Sequence, residues 1–184
     1  MWVGLTGTPG TGKSTAATLL QKEGVTVVRL NELAIQNGCI DGRDKTRKSK
    51  LIDTQKLNRH ITKNYAGKDL VFFEGHVAHL LSTMQKIIIL RCHPSQLIKR
   101  LAQKRWNVKK IRENVEAEIL DVILCEAVER HPQKNIFEID TTHRSSQQVA
   151  ASILEITKKK FRPTKPYSIG QIDWSEEILK EYSE

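Results

Sequence analysis

Short apolar runs alternate along this chain with stretches in which apolar residues recur every three or four positions. Trp2 to Thr6, Val25 to Arg29, Asp69 to Phe73, Lys86 to Leu90 and Asn135 to Asp140 have the length and composition of strands. A helical pattern follows the first run at Ala16, Ala17, Leu19 and Leu20, and further helices begin at Asn31 and at Pro94, where a proline in the first turn has its φ already set. A longer helix is predicted from about Lys110 to Arg130. Ile111, Val115, Ile119, Val122 and Ile123 lie along one of its faces, with Glu113, Glu116 and Asp121 off it. Pro132 closes that helix, and Ser145 or Ser146 opens a last one running to about Lys160. Strands that are apolar on both faces and separated by helices join in parallel. The expected fold is therefore α/β, a three-layer sandwich around a five-stranded parallel sheet. The chain shows no internal repeat and no low-complexity segment.

At 184 residues the chain has the length of a single domain, spanning 1–184. No apolar run reaches the roughly eighteen residues of a membrane span, and the first residues already read as a strand, so neither a membrane anchor nor a signal peptide fits. Cys39, Cys92 and Cys125 are odd in number, far apart and in no CxxC pair, which points to packing residues in a reducing, cytoplasmic setting. The net charge of +9 is concentrated. Nine basic residues against two acids fall between Arg43 and Lys68, and seven with no acid between Lys99 and Arg112. Such clusters suit flaps around a polyphosphate or an RNA footprint.

Between the first strand and the first helix stands Gly7-Thr8-Pro9-Gly10-Thr11-Gly12-Lys13-Ser14-Thr15, a complete Walker A sequence. In that context the backbone N–H groups curl around phosphates at the positive end of a helix. Gly10 and Gly12 are required where a side chain would obstruct that approach or demand an unfavourable φ. Lys13 is expected to reach the β- and γ-phosphates, where its charge counts most as the transition state forms. Ser14 should place its hydroxyl on Mg²⁺, and Thr15 is placed to bond the α-phosphate. Glu74, at the end of the third predicted strand, is the carboxylate available to hold a magnesium-bound water, so Ser14 and Glu74 form the expected metal site. His76 and His79 follow closely, and either could orient a water. Phosphoryl transfer needs no protein nucleophile, so Lys13, Glu74 and His76 are the candidate catalytic residues. The chain has no NKxD sequence, which argues against guanine recognition. A backbone contact to the base is expected around Thr141 to Arg144.

Lys104-Arg105-Trp106-Asn107 and the following Lys109 to Ile119 resemble the lid and next helix of the atypical adenylate kinase family, isoenzyme six in animals with archaeal relatives. The Gly-Thr-Pro-Gly start of the Walker A sequence, Glu32-Leu33-Ala34 with Asp41-Gly42, and Ile89-Leu90-Arg91 are similar too, so the resemblance spans about residues 1 to 160. It implies a nucleoside monophosphate kinase fold with a monophosphate flap at about 29–52, a lid at about 103–113 and a tail at about 161–184. It implies transfer of the γ-phosphate of Mg·ATP to AMP, with ATP hydrolysis besides. It also implies a role in maturing the small ribosomal subunit and its rRNA, with a uS11-type ribosomal protein as partner. The protein is expected to act as a monomer.

Several positions depart from that family's pattern. Ile35 stands where relatives carry an arginine for the AMP phosphate, leaving Arg43, Lys45 or Arg91 as substitutes. The lid's Arg-Gly-aromatic becomes Lys104-Arg105-Trp106, so Lys104, with Arg105 beside it, takes the ATP-contacting position with a point charge in place of a bidentate fork. Three functions follow: an adenylate kinase, an ATPase that serves ribosome assembly, or a kinase of another small metabolite. The tail beyond Phe161, basic and broken by prolines, either docks on the protein's own surface or contacts RNA or a protein. Its removal after Pro166 is expected to leave ATP turnover nearly intact.

Overall fold

A computed structural model describes residues 1–44 and 49–177 of the chain. The first half runs β1 (Trp2–Gly7), α1 (Lys13–Lys22), β2 (Val27–Arg29), α2 (Leu30–Gln36), β3 (Ile40–Asp44), β4 (Ser49–Ile52), α3 (Thr54–Tyr65) and β5 (Val71–Glu74). The second runs β6 (Lys86–Arg91), α4 (Pro94–Gln103), α5 (Val108–Ile119), α6 (Val122–Arg130), β7 (Ile136–Asp140) and α7 (Ser146–Lys158). Five strands form one parallel sheet in the order β2-β5-β1-β6-β7, as the apolar runs predicted. The second strand starts at Val27, two residues later than expected, because the Val25 N–H still bonds back to the Leu20 carbonyl at 3.0 Å as the chain leaves α1.

Both faces of the sheet are covered, which is why its strands are apolar throughout. Val3, Leu5, Phe72, Ile88 and Phe137 point to one side and pack with α1 and α7 through Leu20, Val149 and Ile153. Val71, Phe73, Ile87 and Ile89 point to the other and meet α2, α3 and α6 through Leu30, Leu57, Ile61 and Ala127. A third, smaller cluster of Cys92, Leu97, Leu101 and Val115 joins α4 to α5, with Trp106 and Ile111 against it.

The helix expected from Lys110 to Arg130 is two helices. Asp121 adopts φ 53°, a left-handed conformation that an aspartate tolerates, and its carboxylate turns in to the Arg91 guanidinium. The break redirects the apolar face. Ile111 and Ile119 serve the small α4–α5 cluster, whereas Ile123 and Leu124 join the main core. The basic segment read only as a flap contains structure of its own. β3 and β4 pair as an antiparallel hairpin, and α3 is capped by Asp53, whose side chain accepts the Lys56 N–H at 2.9 Å and is held below the usual carboxylate range by it. Lys45 and the final seven residues lie outside the described residues.

After α7 the chain returns along its own body. Phe161 is buried against Phe137, and the Tyr167 hydroxyl bonds Ser152 at 3.2 Å and Glu155 at 2.6 Å. The Gly170 N–H donates to Glu138 at 2.9 Å, and Trp174 meets the His93 ring edge-on at 4.9 Å. Of the two placements open for this tail, docking on the protein itself is the one observed as far as Glu177. Cutting after Pro166 would strip Tyr167 from the core, so the expectation of an innocuous truncation is withdrawn.

Candidate nucleotide-binding site

The C-terminal ends of the parallel strands carry the polar groups, the position at which open α/β sheets bind ligands. β1 leads into a loop that closes on the N-terminus of α1, with Gly10 and Gly12 both at φ 99°. At Gly10 an added Cβ would also lie 2.8 Å from Leu97 and 2.9 Å from Leu101, so this glycine lets α4 pack on the loop. At Gly12 nothing in the protein would obstruct a Cβ, and the requirement is conformational.

The Lys13 ammonium is buried and donates to the carbonyls of Gly7 at 2.6 Å and Thr8 at 3.0 Å. Burial pushes its pKa down to about 8, against the opposing pull of Glu74 and Glu118. An anion arriving in the loop would meet a cation whose hydration has already been removed. Mg·ATP affinity is accordingly expected to weaken as pH rises above about 8, approaching tenfold per unit, when followed by calorimetry from pH 7 to 9.5. The sign for folding is opposite. With a folded pKa of about 8 below the ordinary lysine value of 10.5, the ligand-free protein gains stability over the unfolded chain as pH rises through that window.

Ser14 donates its hydroxyl to Glu74 at 3.1 Å, and Glu74 is buried at the end of β5. A hydroxyl beside one carboxylate is a hard, oxygen-only donor pair, suited to Mg²⁺, which keeps several waters and takes few protein ligands. Arg29, at the end of β2, pairs with the other Glu74 oxygen at 3.5 Å and donates to Thr18 at 2.8 Å. His76 is exposed nearby, and among the described residues no hydrogen-bond partner holds its ring. Partial loss of hydration beside the site, and then the Lys13 charge, lower its pKa and favour the neutral ring. His79 is different: it is buried, with Nδ1 3.0 Å from the Thr6 hydroxyl and Nε2 2.8 Å from Glu126. Both nitrogens are engaged in tying β1 to α6, so the role of orienting a water does not pass to it.

A cleft of about 340 Å³ opens beside the loop. Gly10, Gly12, Thr15 and Lys104 line it, with Thr141 and Arg144 from the segment expected to meet the base. Arg105 does not line it. It sits at φ 56°, so the backbone here keeps the left-handed turn that suits a glycine. Arg105→Gly is expected to raise stability by about 0.5–1 kcal/mol, seen as a thermal midpoint about 2 °C higher. Trp106 packs under the Lys110 ammonium, 3.9 Å from the ring centre. Sequence reasoning missed Arg100, which counted only as one charge in a basic run. Its guanidinium reaches the Thr141 hydroxyl at 3.0 Å and the carbonyls of Thr141 at 2.6 Å and Thr142 at 3.2 Å, clamping the wall of the cleft. Arg91, one proposed substitute for the missing AMP arginine, is buried and held by three carboxylates, Glu118, Asp121 and Glu138. It has no free edge for a phosphate. Arg43 lies on β3 opposite Lys50.

The family model described as "AAA domain" matches residues 3–121. Over 178 residues, 97% of this chain, it is 40% identical to a protein of Archaeoglobus fulgidus, 94% of which is covered. It is 38% identical, again over 97% of its length, to one of Halobacterium salinarum covered in full. A third, from Methanocaldococcus jannaschii, is 35% identical over 180 residues, with 97% of this chain and 96% of that protein covered. All three carry the name "Putative adenylate kinase". This chain belongs to that archaeal adenylate kinase family. Two solved structures share the fold. TT1252 from Thermus thermophilus superposes with a TM-score of 0.62 at 16% identity, covering 89% of this chain and 98% of that one. Shikimate kinase from Aquifex aeolicus gives 0.54 at 13%, covering 87% and 98%. Family membership and the loop-and-cleft geometry make this a P-loop kinase. Among the described residues no helix is long and apolar enough to cross a membrane.

Proposed function

We propose that this protein transfers the γ-phosphate of Mg·ATP to AMP, giving two ADP. The observation that carries the proposal is likeness over nearly the whole chain, at 40% identity, to an archaeal protein that carries the name "Putative adenylate kinase". Gly10, Gly12 and Thr15 cradle the phosphates, while Lys13 leaves its two carbonyl partners to follow the β- and γ-oxygens. Ser14 and Glu74 hold Mg²⁺, which when bound neutralises charge on those oxygens. Lys104 closes the cleft over ATP, and the clamped Thr141–Thr142 segment forms the wall beside the base.

A second reading is favoured by one observation on the acceptor side. Ile35 is 51% exposed on α2 and offers a phosphate nothing, while Arg91 is locked away. On that reading the protein is an ATPase: neutral His76 orients the attacking water, and a ribosomal partner of the uS11 type on the small subunit, beside rRNA, stimulates slow turnover. Product formation by purified protein with Mg·ATP, with and without AMP, decides between the two. Strong acceleration by AMP with two ADP per ATP consumed supports the kinase. Slow release of ADP and phosphate regardless of AMP overturns it in favour of the ATPase.

A further inference from the structure

The phosphate-binding loop is tied to the lid by a buried contact outside the Walker A roles. Thr8 is 2% exposed and donates its hydroxyl to one oxygen of Glu118, also 2% exposed. The second Glu118 oxygen accepts from Arg91 Nε at 2.8 Å and from the Cys92 N–H at 3.0 Å, so the carboxylate is fixed from three sides. Thr8 is equally committed. Its carbonyl accepts from Lys13 Nζ at 3.0 Å, from the Thr11 N–H at 3.2 Å and from the Thr11 hydroxyl at 2.9 Å. The residue that shapes the turn and parks the Lys13 ammonium is thus the residue that Glu118 holds.

Glu118 lies in the last turn of α5, whose first turn is capped by Asn107, directly after the lid residues Lys104 to Trp106. The helix is twelve residues, about 18 Å long, and moves as a rod. It packs chiefly on α4 through the small Leu97–Leu101–Val115 cluster, and Leu97 and Leu101 also lie under Gly10. A swing of the lid end of this rod is therefore felt at Thr8, where a carboxylate engaged from three sides cannot yield without carrying the hydroxyl with it.

We propose that Glu118 is a positioning residue that, through the Thr8 hydroxyl, couples closure of the lid over ATP to the conformation of the phosphate-binding loop; this rests on the Mg·ATP-binding part of the proposed function and not on the acceptor. Lys13 is released to the phosphates in step with the descent of Lys104 onto the nucleotide.

The test uses the full chain and its own lid as reporter, since Lys104 and Arg105 are exposed trypsin sites. Mg·ATP affinity is measured first by calorimetry, and each variant is then digested at saturating Mg·ATP. In the unaltered protein the nucleotide is expected to slow cutting at Lys104–Arg105 about tenfold. In Thr8→Val that protection is expected to fall below about threefold even at saturation, with Thr8→Ser, which restores a hydroxyl, within about twofold of the unaltered protein. Thr8→Ala removes the same bond with less bulk and gives the answer if valine prevents folding. A purely structural Thr8 would lower the thermal midpoint and leave saturated protection intact, and that result overturns the proposal. So does an unaltered protein that binds Mg·ATP without any protection. Neither measurement contains AMP, so absence of transfer to AMP would sink the kinase assignment and leave this result standing.

Discussion

Arg91→Met is expected to cost about 3–5 kcal/mol of folding stability, enough to leave much of the protein unfolded at moderate temperature. Arg91 is 2% exposed, and its guanidinium serves three carboxylates: Glu118 at 2.8 Å, Glu138 at 2.5 Å, and Asp121. Methionine fills a similar volume but leaves three acids facing one another, two of them fully buried. Burial already pushes the Glu138 and Asp121 carboxyls above their usual range, with Arg91 pulling them back. Without Arg91 they rise further and take up protons in the folded state. Folded pKa values above the unfolded ones mean stability present at low pH and lost as pH rises through them. The defect is thus expected to be greatest near pH 8 and partly relieved near pH 5, in thermal melts across that range. A defect independent of pH would show that packing, and not charge, dominates at Arg91.

Lys13→Ala is expected to reduce ATP turnover on the order of a thousandfold, with or without AMP, because the ammonium is the loop's own cation for charge on the γ-phosphate. The same change should leave the protein at least as stable. Lys13 is a buried cation held by two carbonyls, with burial lowering its pKa to about 8, so its removal relieves a desolvation cost and places a better helix former at the start of α1. Loss of activity with an unchanged or raised thermal midpoint separates catalysis from folding in one experiment. Turnover within tenfold of the unaltered protein would remove Lys13 from the chemistry.

The sheet was legible because a parallel strand buried on both faces must be apolar throughout, and Ile87 to Leu90 or Ile136 to Ile139 have few other places to go. The loop was legible because phosphate binding demands glycine at fixed places. The broken helix was hidden because Ile119, Val122 and Ile123 keep helical spacing across Asp121, and the signal for the break lies elsewhere, in Arg91. Glu138 was a missed clue of the same kind. An acid inside an apolar strand announces a buried cation, and β6, pairing in parallel beside β7, ends in one. Arg100 and Glu118 resisted prediction for a different reason. Each acts on a segment far away in sequence, 41 residues for Arg100 to Thr141 and 110 for Thr8 to Glu118, and no local pattern encodes such distances.

The bond from Gly170 to Glu138 spans 32 residues and is made by the chain's later segment. During synthesis the sheet strands and Arg91 emerge well before Tyr167 and Gly170 do. Until then one oxygen of a buried glutamate has no protein donor and the pocket for Tyr167 stands open. A chain that ends before residue 167 therefore lacks the segment that seals its core, and the fold is complete only once Tyr167 and Gly170 have docked.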